Sequence, residues 1–188
     1  MTYSYATIAF TPVVKALQRQ NGSREKYAFT EKSVVQTAAL TKREVDFIEA
    51  RDSFYQATVS ETGWPYVQHR GGPQGFLKVL DNRTIAYADF RGNQQYLSAG
   101  NLVNNDRIAL IMVDYDNQRR LKLFAHAKVV LLEDEPKLLA RLSDLSYPAR
   151  VERGFILHVD AWDWNCSQHI TPRFNENDVK STIDQLQP

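Results

Sequence analysis

From residue 54 onward, apolar and polar positions alternate with a period near two, which predicts a succession of half-buried strands. FYQATVS, a turn over Glu61–Trp64 and PYVQHR form a predicted hairpin rich in aromatic and β-branched residues. GFLKVLD and TIAYADF form a second hairpin that turns at Asn82–Arg83. RIALIMVDY is almost wholly apolar, which predicts a strand covered on both faces. Asp116–Asn117–Gln118 then turns the chain into the long strand RLKLFAHAKVVLLE, and GFILHVDAWDW is the last strand. Helical spacing appears between these runs. Thr11–Pro12 opens a short helix with Val13, Val14 and Leu17 on one side, and Asn21–Gly22 stops it. Thr41 and Glu44 form a capping box for a helix over about 41–52, with Val45, Phe47 and Ile48 as its apolar stripe. A helix is expected from Asn93 to Asn104, with Tyr96, Leu97 and Leu102 as apolar contacts. Another is capped by Asp134 and runs through KLLARLSDL, with Pro136 in its first turn. A last helix opens at Asn175, with Val179, Ile183 and Leu186 on one side.

Six or so strands joined mostly by hairpins argue against a doubly wound parallel sheet and for an antiparallel barrel with peripheral helices. The expected organisation is an amino-terminal arm with a short helix over 1–40, followed by the barrel domain over 41–188 with its carboxy-terminal helix. At 188 residues the chain can bury a core without covalent staples. Twenty-three Lys and Arg against 22 Asp and Glu give a net charge of +1, so no basic field for a nucleic acid is present. The single cysteine, Cys166, cannot form an internal disulfide and is expected to be an inert packed thiol, which fits a reducing, cytoplasmic setting. The opening MTYSYATIAF lacks the pattern of a signal peptide, and no apolar run reaches the ~18 residues that span a bilayer. No membrane is expected as a partner. The four histidines are scattered without metal-ligand spacing, so no metal is expected, and His126 and His158 fall in strands as structural residues.

Three segments gather polar, basic and glycine residues at strand ends. The first is Gln68-His69-Arg70-Gly71-Gly72-Pro73-Gln74-Gly75-Phe76, where glycines allow close backbone approach and Arg70 offers a fork for an anion. It can equally be a glycine-rich connection with a solvent-facing arginine. The second is Asp89-Phe90-Arg91-Gly92-Asn93-Gln94-Gln95, which leaves a strand and opens a helix. Unpaired N–H groups at a helix start suit a phosphate, and Arg91 would add a bidentate partner. An ordinary capped helix is the competing reading. The third, from Trp162 to Phe174, packs Trp164, Asn165, Gln168, His169 and Arg173 into thirteen residues. That set suits a planar heterocycle bearing a phosphate, or a tryptophan pair in a core or dimer interface followed by a polar loop. The expense of burying so many polar groups favours the first of these.

Taken in order, GWPYVQHRGGPQGFLKVLD, IAYADFRGNQQYLSAGNLVNNDRIALIMVDY, RRLKLFAHAKV and DWNCSQHITPRF resemble the pyridoxamine 5′-phosphate oxidase-related flavin-binding proteins, specifically a bacterial subgroup. The likeness covers roughly residues 41 to 175, and IAFTPVVKALQRQNGSREKYA is similar to that subgroup's arm. The resemblance implies an antiparallel split β-barrel that dimerises and binds FMN in clefts between two subunits. Phe76, Leu77 and Lys78 fall where the family's strand lines the flavin, and Tyr87 through Asp89 and Phe90 match the next strand. Gly92, Asn93 and Gln94 fall where the true oxidases carry Ser-Arg-Lys on the FMN phosphate. Two cations are thereby replaced by amides, and Arg91 or Arg70 would take over the charge. Arg119 or Arg120 matches a strand-start pair near the isoalloxazine, Trp164 a flavin-contacting tryptophan, and Arg173 lies close to an FMN-facing arginine. His169 lies near the family's substrate-binding Arg-x-His, and His69 is a second weak substrate candidate. The Arg-Leu-His-Asp-Arg run of the true oxidases is absent.

The expected function is therefore an FMN-dependent oxidoreductase acting on a small molecule other than pyridoxamine phosphate. NADH or NADPH is a candidate donor. Alternatives are a non-catalytic flavin-binding or sensing protein, or a split barrel holding the deazaflavin F420 or haem. No catalytic acid or base stands out.

Overall fold

The computed structural model describes residues 4–32 and 39–174, with 176, 179, 180 and 183 beyond them. Three helices, α1 (Tyr5–Ala9), α2 (Pro12–Gln20) and α3 (Arg24–Lys32), form the amino-terminal arm. Helix α4 (Lys42–Glu49) leads into β1 (Ser53–Val59), β2 (Pro65–Gly71), β3 (Lys78–Asp81) and β4 (Thr84–Phe90). Then follow α5 (Leu97–Asn104), β5 (Arg107–Asp114), β6 (Arg119–Leu131), α6 (Pro136–Leu142) and β7 (Val151–Asn165).

All seven strands join one antiparallel sheet in the order β2-β1-β5-β6-β7-β4-β3. Three strands separate β1 from β4 in that order, yet the Tyr87 hydroxyl donates to Gln56 Oε1 at 2.6 Å. Phe54 lies edge-on to Tyr87 with centroids 5.2 Å apart. The sheet therefore curls on itself, bringing β1 and β2 against β4 and β7. Its concave side holds the core, including Phe54, Ile85, Tyr87, Met112, Leu121, Phe155 and Leu157. This is the barrel that alternation predicts, since every second side chain of β1, β5 and β6 points inward. No helix among the described residues is long and apolar enough to cross a membrane.

Several boundaries differ from expectation. Strand β5 alternates buried and half-buried positions, so its apolar run is not covered equally on both sides. Ala109 and Ile111 instead face a shallow cavity of about 210 Å³ with Tyr55, Val67 and Tyr5 at its rim. Tyr5 stacks on Phe124 at 4.8 Å and gives that outer face partial cover. Among the described residues the amino-terminal segment has three helices where one was expected. In α2 the cap by Thr11 and the stop at Asn21–Gly22 are found, but Val13 and Leu17 are 70% and 54% exposed while Gln18 is buried. The reason is an ionic interior: Arg24 reaches Gln18 at 2.5 Å and pairs with Glu31, which also holds Lys15.

Phe76 and Leu77 precede β3 instead of belonging to it, and both side chains are buried in the core. A Cβ at Gly72 would lie 2.7 Å from Phe76 Cγ, so that glycine admits the phenyl ring. Helix α5 starts at Leu97, four residues later than expected, because Gln94 and Tyr96 sit at φ +61° and +54° and break the helical path. Helix α6 is preceded by Glu135, with Pro136 as its first residue, and ends at Leu142, short of Leu145. Strand β7 begins at Val151 instead of Gly154. Gly154 sits under α6, where a Cβ would come within 3.1 Å of Leu139 and Val130. Cys166 lies just past the end of β7 and is exposed, so it is no packed thiol. The expected helix from Asn175 falls largely outside the described residues. Of its positions, Glu176, Val179, Lys180 and Ile183 are helical and exposed.

Candidate functional site

Most of the residues singled out in the sequence divide between two ends of the barrel, while Phe76 and Leu77 are in its core. At one end, a cavity of about 220 Å³ opens between β2, the start of β7 and the loop into α5. Arg70, Asp89, Phe90, Gly92, Asn93 and Gln94 all line it. Its remaining wall comes from Tyr66, Gln68, Gln95, Tyr96, the first turn of α5 and Glu152.

Charge here is buried and paired. Arg70 Nη1 donates to Asp89 Oδ1 at 2.6 Å, and Arg153 Nε lies 3.3 Å from Asp89 Oδ2. Arg153 also donates to Glu152 at 3.1 Å, and Glu152 lies 3.7 Å from Arg91 Nε. The Arg70 guanidinium rests over Phe155 at 5.2 Å, and that of Arg153 over Tyr96 at 4.5 Å. Burial raises the Asp89 carboxyl above its ordinary value, and the attraction of Arg70 and Arg153 offsets only part of that. Burial likewise pushes the Tyr87 phenol up. Three cations against two carboxylates leave the cluster with an excess positive charge.

Donors without a partner lie in the wall of the same cavity. Ser98 is 3% exposed and its hydroxyl has no partner among the described residues. Helix α5 has no side-chain cap, and the N–H groups of Leu97, Ser98 and Ala99 have no acceptor among the described residues. Unbonded N–H groups and the positive end of a helix favour an anion. Arg91 does not line the cavity and is 46% exposed; with the Gln94 amide oxygen turned toward it, Arg91 donates to that oxygen at 3.1 and 3.3 Å.

The other end gathers Arg120, Trp164, Asn165, Gln168 and Arg173, and its polar atoms are largely satisfied within the chain. Trp164 Nε1 donates to Glu44 at 2.7 Å, Arg43 lies over its ring at 4.4 Å and Phe47 meets it edge-on at 4.8 Å. Arg120 donates to the Cys166 carbonyl at 2.9 Å, while its Nε is buried without a partner. Asn165 donates to the same carbonyl, and the Gln168 N–H points to Cys166 Sγ, both at 3.5 Å. Arg173 stacks over Tyr115 at 4.7 Å, beside a cleft of about 480 Å³. At the β5–β6 turn, Asp114 pairs with Arg119 at 2.9 Å and Arg51 at 3.6 Å. Burial pushes the Asp114 carboxyl up, but Asn117 and Arg119 donors outweigh it and hold the carboxyl below its ordinary value. The segment from Cys166 to His169 is exposed, so its polar residues carry no burial cost and that argument for a ligand falls away.

From Arg153 to Trp164 the strand path is roughly 35 Å, so the two ends do not form one pocket within a chain. Lys78 opens β3 opposite Ala86, away from both clusters. His69 lies exposed against the Tyr55 ring, and His169 is exposed at φ +64°. Ser98, Glu152 and Arg153 were not singled out from the sequence, and Glu44 was singled out only as the partner of Thr41 in a capping box. The first would have emerged had the α5 start been placed at Leu97, and Arg153 and Glu152 had β7 been begun at Val151.

No curated protein matches the chain by sequence. Among solved structures, a putative pyridoxamine 5′-phosphate oxidase from Lactobacillus delbrueckii is 21% identical, with a TM-score of 0.53 over 69% of this chain and 97% of that one. HupZ from Group A Streptococcus is 18% identical, with a TM-score of 0.51 over 72% of this chain and 99% of the other. Both likenesses identify the fold as the split barrel. An FMN-binding protein from Syntrophomonas wolfei is 12% identical, with a TM-score of 0.49 over 79% of this chain and 97% of that one. A family model described as pyridoxamine 5′-phosphate oxidase matches residues 40–153, well over half the sequence, and the chain accordingly belongs to that family.

Proposed function

We propose that the chain binds FMN as a homodimer and uses it in an oxidoreductase reaction on a small molecule other than pyridoxamine phosphate. The observation that carries this reading is the α5 cavity, with its uncapped helix start, the orphaned Ser98 hydroxyl in its wall and the Arg70 guanidinium lining it. That donor set fits a phosphate monoester. Pockets for whole cofactors run to about 300–1,000 Å³, so a cavity of about 220 Å³ suits the phosphate and the start of the ribityl chain. The ring then needs a second surface, and the Arg120–Trp164 end of a second copy supplies a candidate one.

In this reading the α5 N–H groups and Ser98 donate to the phosphate, while Arg91 closes over it from beside the cavity. Asp89 holds Arg70 in place so that its charge faces the cavity without collapsing into it. Arg120, Trp164 and Asn165 bound the ring and exclude water. Bound FMN would supply reversible two-electron chemistry, so the chain itself needs no catalytic dyad. NADH or NADPH is a candidate reductant. The missing Arg-Leu-His-Asp-Arg run and the amides at 92–94 favour a substrate other than pyridoxamine phosphate.

An absorption spectrum of the purified protein, alone and after incubation with FMN, tests the proposal. Retained oxidised-flavin bands through gel filtration are expected. A Soret band, an F420 spectrum, or a colourless protein that cannot be reconstituted overturns it. Anaerobic reduction by NADH or NADPH, faster than that of free FMN, is expected of an enzyme and not of a flavin-sensing protein.

A further inference from the structure

We propose that Glu44 is a positioning residue: its carboxylate fixes the plane of the Trp164 indole where that side chain meets the cofactor. This rests on the reading of Trp164 as a ring-bounding residue. Glu44 is 1% exposed, and each of its oxygens faces donors. Oε2 accepts from the Thr41 N–H at 3.0 Å and from the Thr41 hydroxyl, while Oε1 accepts from the Trp164 indole at 2.7 Å. One buried carboxylate thus ties the start of α4 to the end of β7, 120 residues further along the chain.

The neighbouring tryptophan shows that this arrangement is more than a requirement to satisfy an indole. Trp162, two residues earlier on the same strand, donates its N–H to the backbone carbonyl of Ala39 at 3.3 Å. A backbone acceptor satisfies an indole with no buried charge, whereas a buried carboxylate is costly to desolvate. An amide cannot replace Glu44 without loss, because one end would set an NH₂ group against a donor. Arg43 over the ring and Phe47 at its edge complete the clamp, leaving the indole little freedom to turn. Helix α4 thereby sets the ring's orientation.

The test uses Glu44→Ala and the near-isosteric Glu44→Met, with Glu44→Gln, Thr41→Val and Trp164→Phe as references, each with and without FMN. Without FMN, both loss variants should remove the near-ultraviolet circular dichroism that Trp164→Phe removes. With FMN, whichever of them folds should change the visible circular dichroism of the flavin as Trp164→Phe does and weaken FMN by about three- to tenfold. Glu44→Gln, which keeps one oxygen for the indole, should restore most of both signals. Thr41→Val, which loses only the hydroxyl at the far oxygen, should leave both intact. The inference is overturned if Trp164→Phe alters the flavin signal and a folded Glu44→Ala or Glu44→Met does not. If Trp164→Phe itself leaves the flavin signal unchanged, the placement of Trp164 at the ring fails, and the role of Glu44 there fails with it.

Discussion

The two ends of the barrel use polar side chains in opposite ways. Around Trp164 the indole, Asn165 and most of the guanidinium groups are bonded to partners inside the chain or stacked on its rings. Around α5 the carboxylates are paired, but a buried hydroxyl and a row of backbone N–H groups are left over beside a cavity. Leaving a buried donor unmade costs about 1–3 kcal/mol, and where several such donors stand beside a cavity, as at α5 and unlike the single Arg120 Nε, a bound group would recover that cost. Satisfied groups mark a surface shaped before any ligand arrives. On the proposed reading, one end receives the phosphate and the other is a wall formed in advance.

The largest effect that separates the ends is expected from Asp89→Ala. It strands the Arg70 and Arg153 guanidinium groups without their shared counter-ion and should cost about 3 kcal/mol or more in chemical denaturation. A loss under about 1 kcal/mol would mean the network is not the strut of the α5 end. Next in size, Arg91→Ala should weaken FMN about 10- to 100-fold in a fluorescence titration while leaving stability nearly unchanged, because the side chain is half exposed. Unaltered retention of FMN through dialysis would remove Arg91 from the phosphate site. Ser98→Ala should move two quantities in opposite directions. Binding of FMN should fall about three- to tenfold, while the FMN-free protein gains up to about 1 kcal/mol by shedding an unbonded hydroxyl. A loss of stability instead would show that the hydroxyl already has a partner in solution.

The smallest effect is a difference in acid response. The Asp114 carboxyl lies below its ordinary 3.8, held down by Asn117 and Arg119 donors against burial. Its stabilisation is complete above that value and is lost as pH falls through the lowered one. The Asp89 carboxyl is raised by burial, so the folded state takes up its proton first and stability from this group falls as pH rises from 3.8 through the raised value. Asp114→Asn should therefore flatten the acid limb of unfolding free energy against pH. Asp89→Asn should make the slope between 3.8 and the raised value more positive. Identical responses from the two variants would erase the electrostatic contrast between the ends.

Much of this was legible before the fold was known. The strand-like runs read between Phe54 and Trp164, alternating in some and almost wholly apolar in RIALIMVDY, fall within a few residues of the seven strands, with Phe76 and Leu77 left outside β3. Thr41 and Glu44 announced the start of α4 through a local capping pattern. Arg70, Asp89 and Gly92 to Gln94 were drawn from two separate segments and prove to line one cavity. Less legible were features set by a few backbone angles. Nothing in NQQY states that Gln94 and Tyr96 adopt positive φ, and so the helix start and Ser98 escaped notice. The amphipathic reading of α2 failed because ion pairs with Arg24 and Glu31 form its inner side, and such pairs leave no periodic trace.

By itself the sequence determined the class of fold, the turns, the charge balance and the segments rich in polar and basic groups, since each follows from local spacing and residue chemistry. Only the tertiary structure decided which of those groups meet. Curling of the sheet sets Arg70 of β2 against Asp89 of β4, and the pairing of β4 with β7 adds Arg153. It also parted Trp164 from the α5 cavity along the length of one strand and handed its indole to Glu44. These are contacts between residues far apart in the chain, fixed by sheet order and register, and no local pattern encodes them.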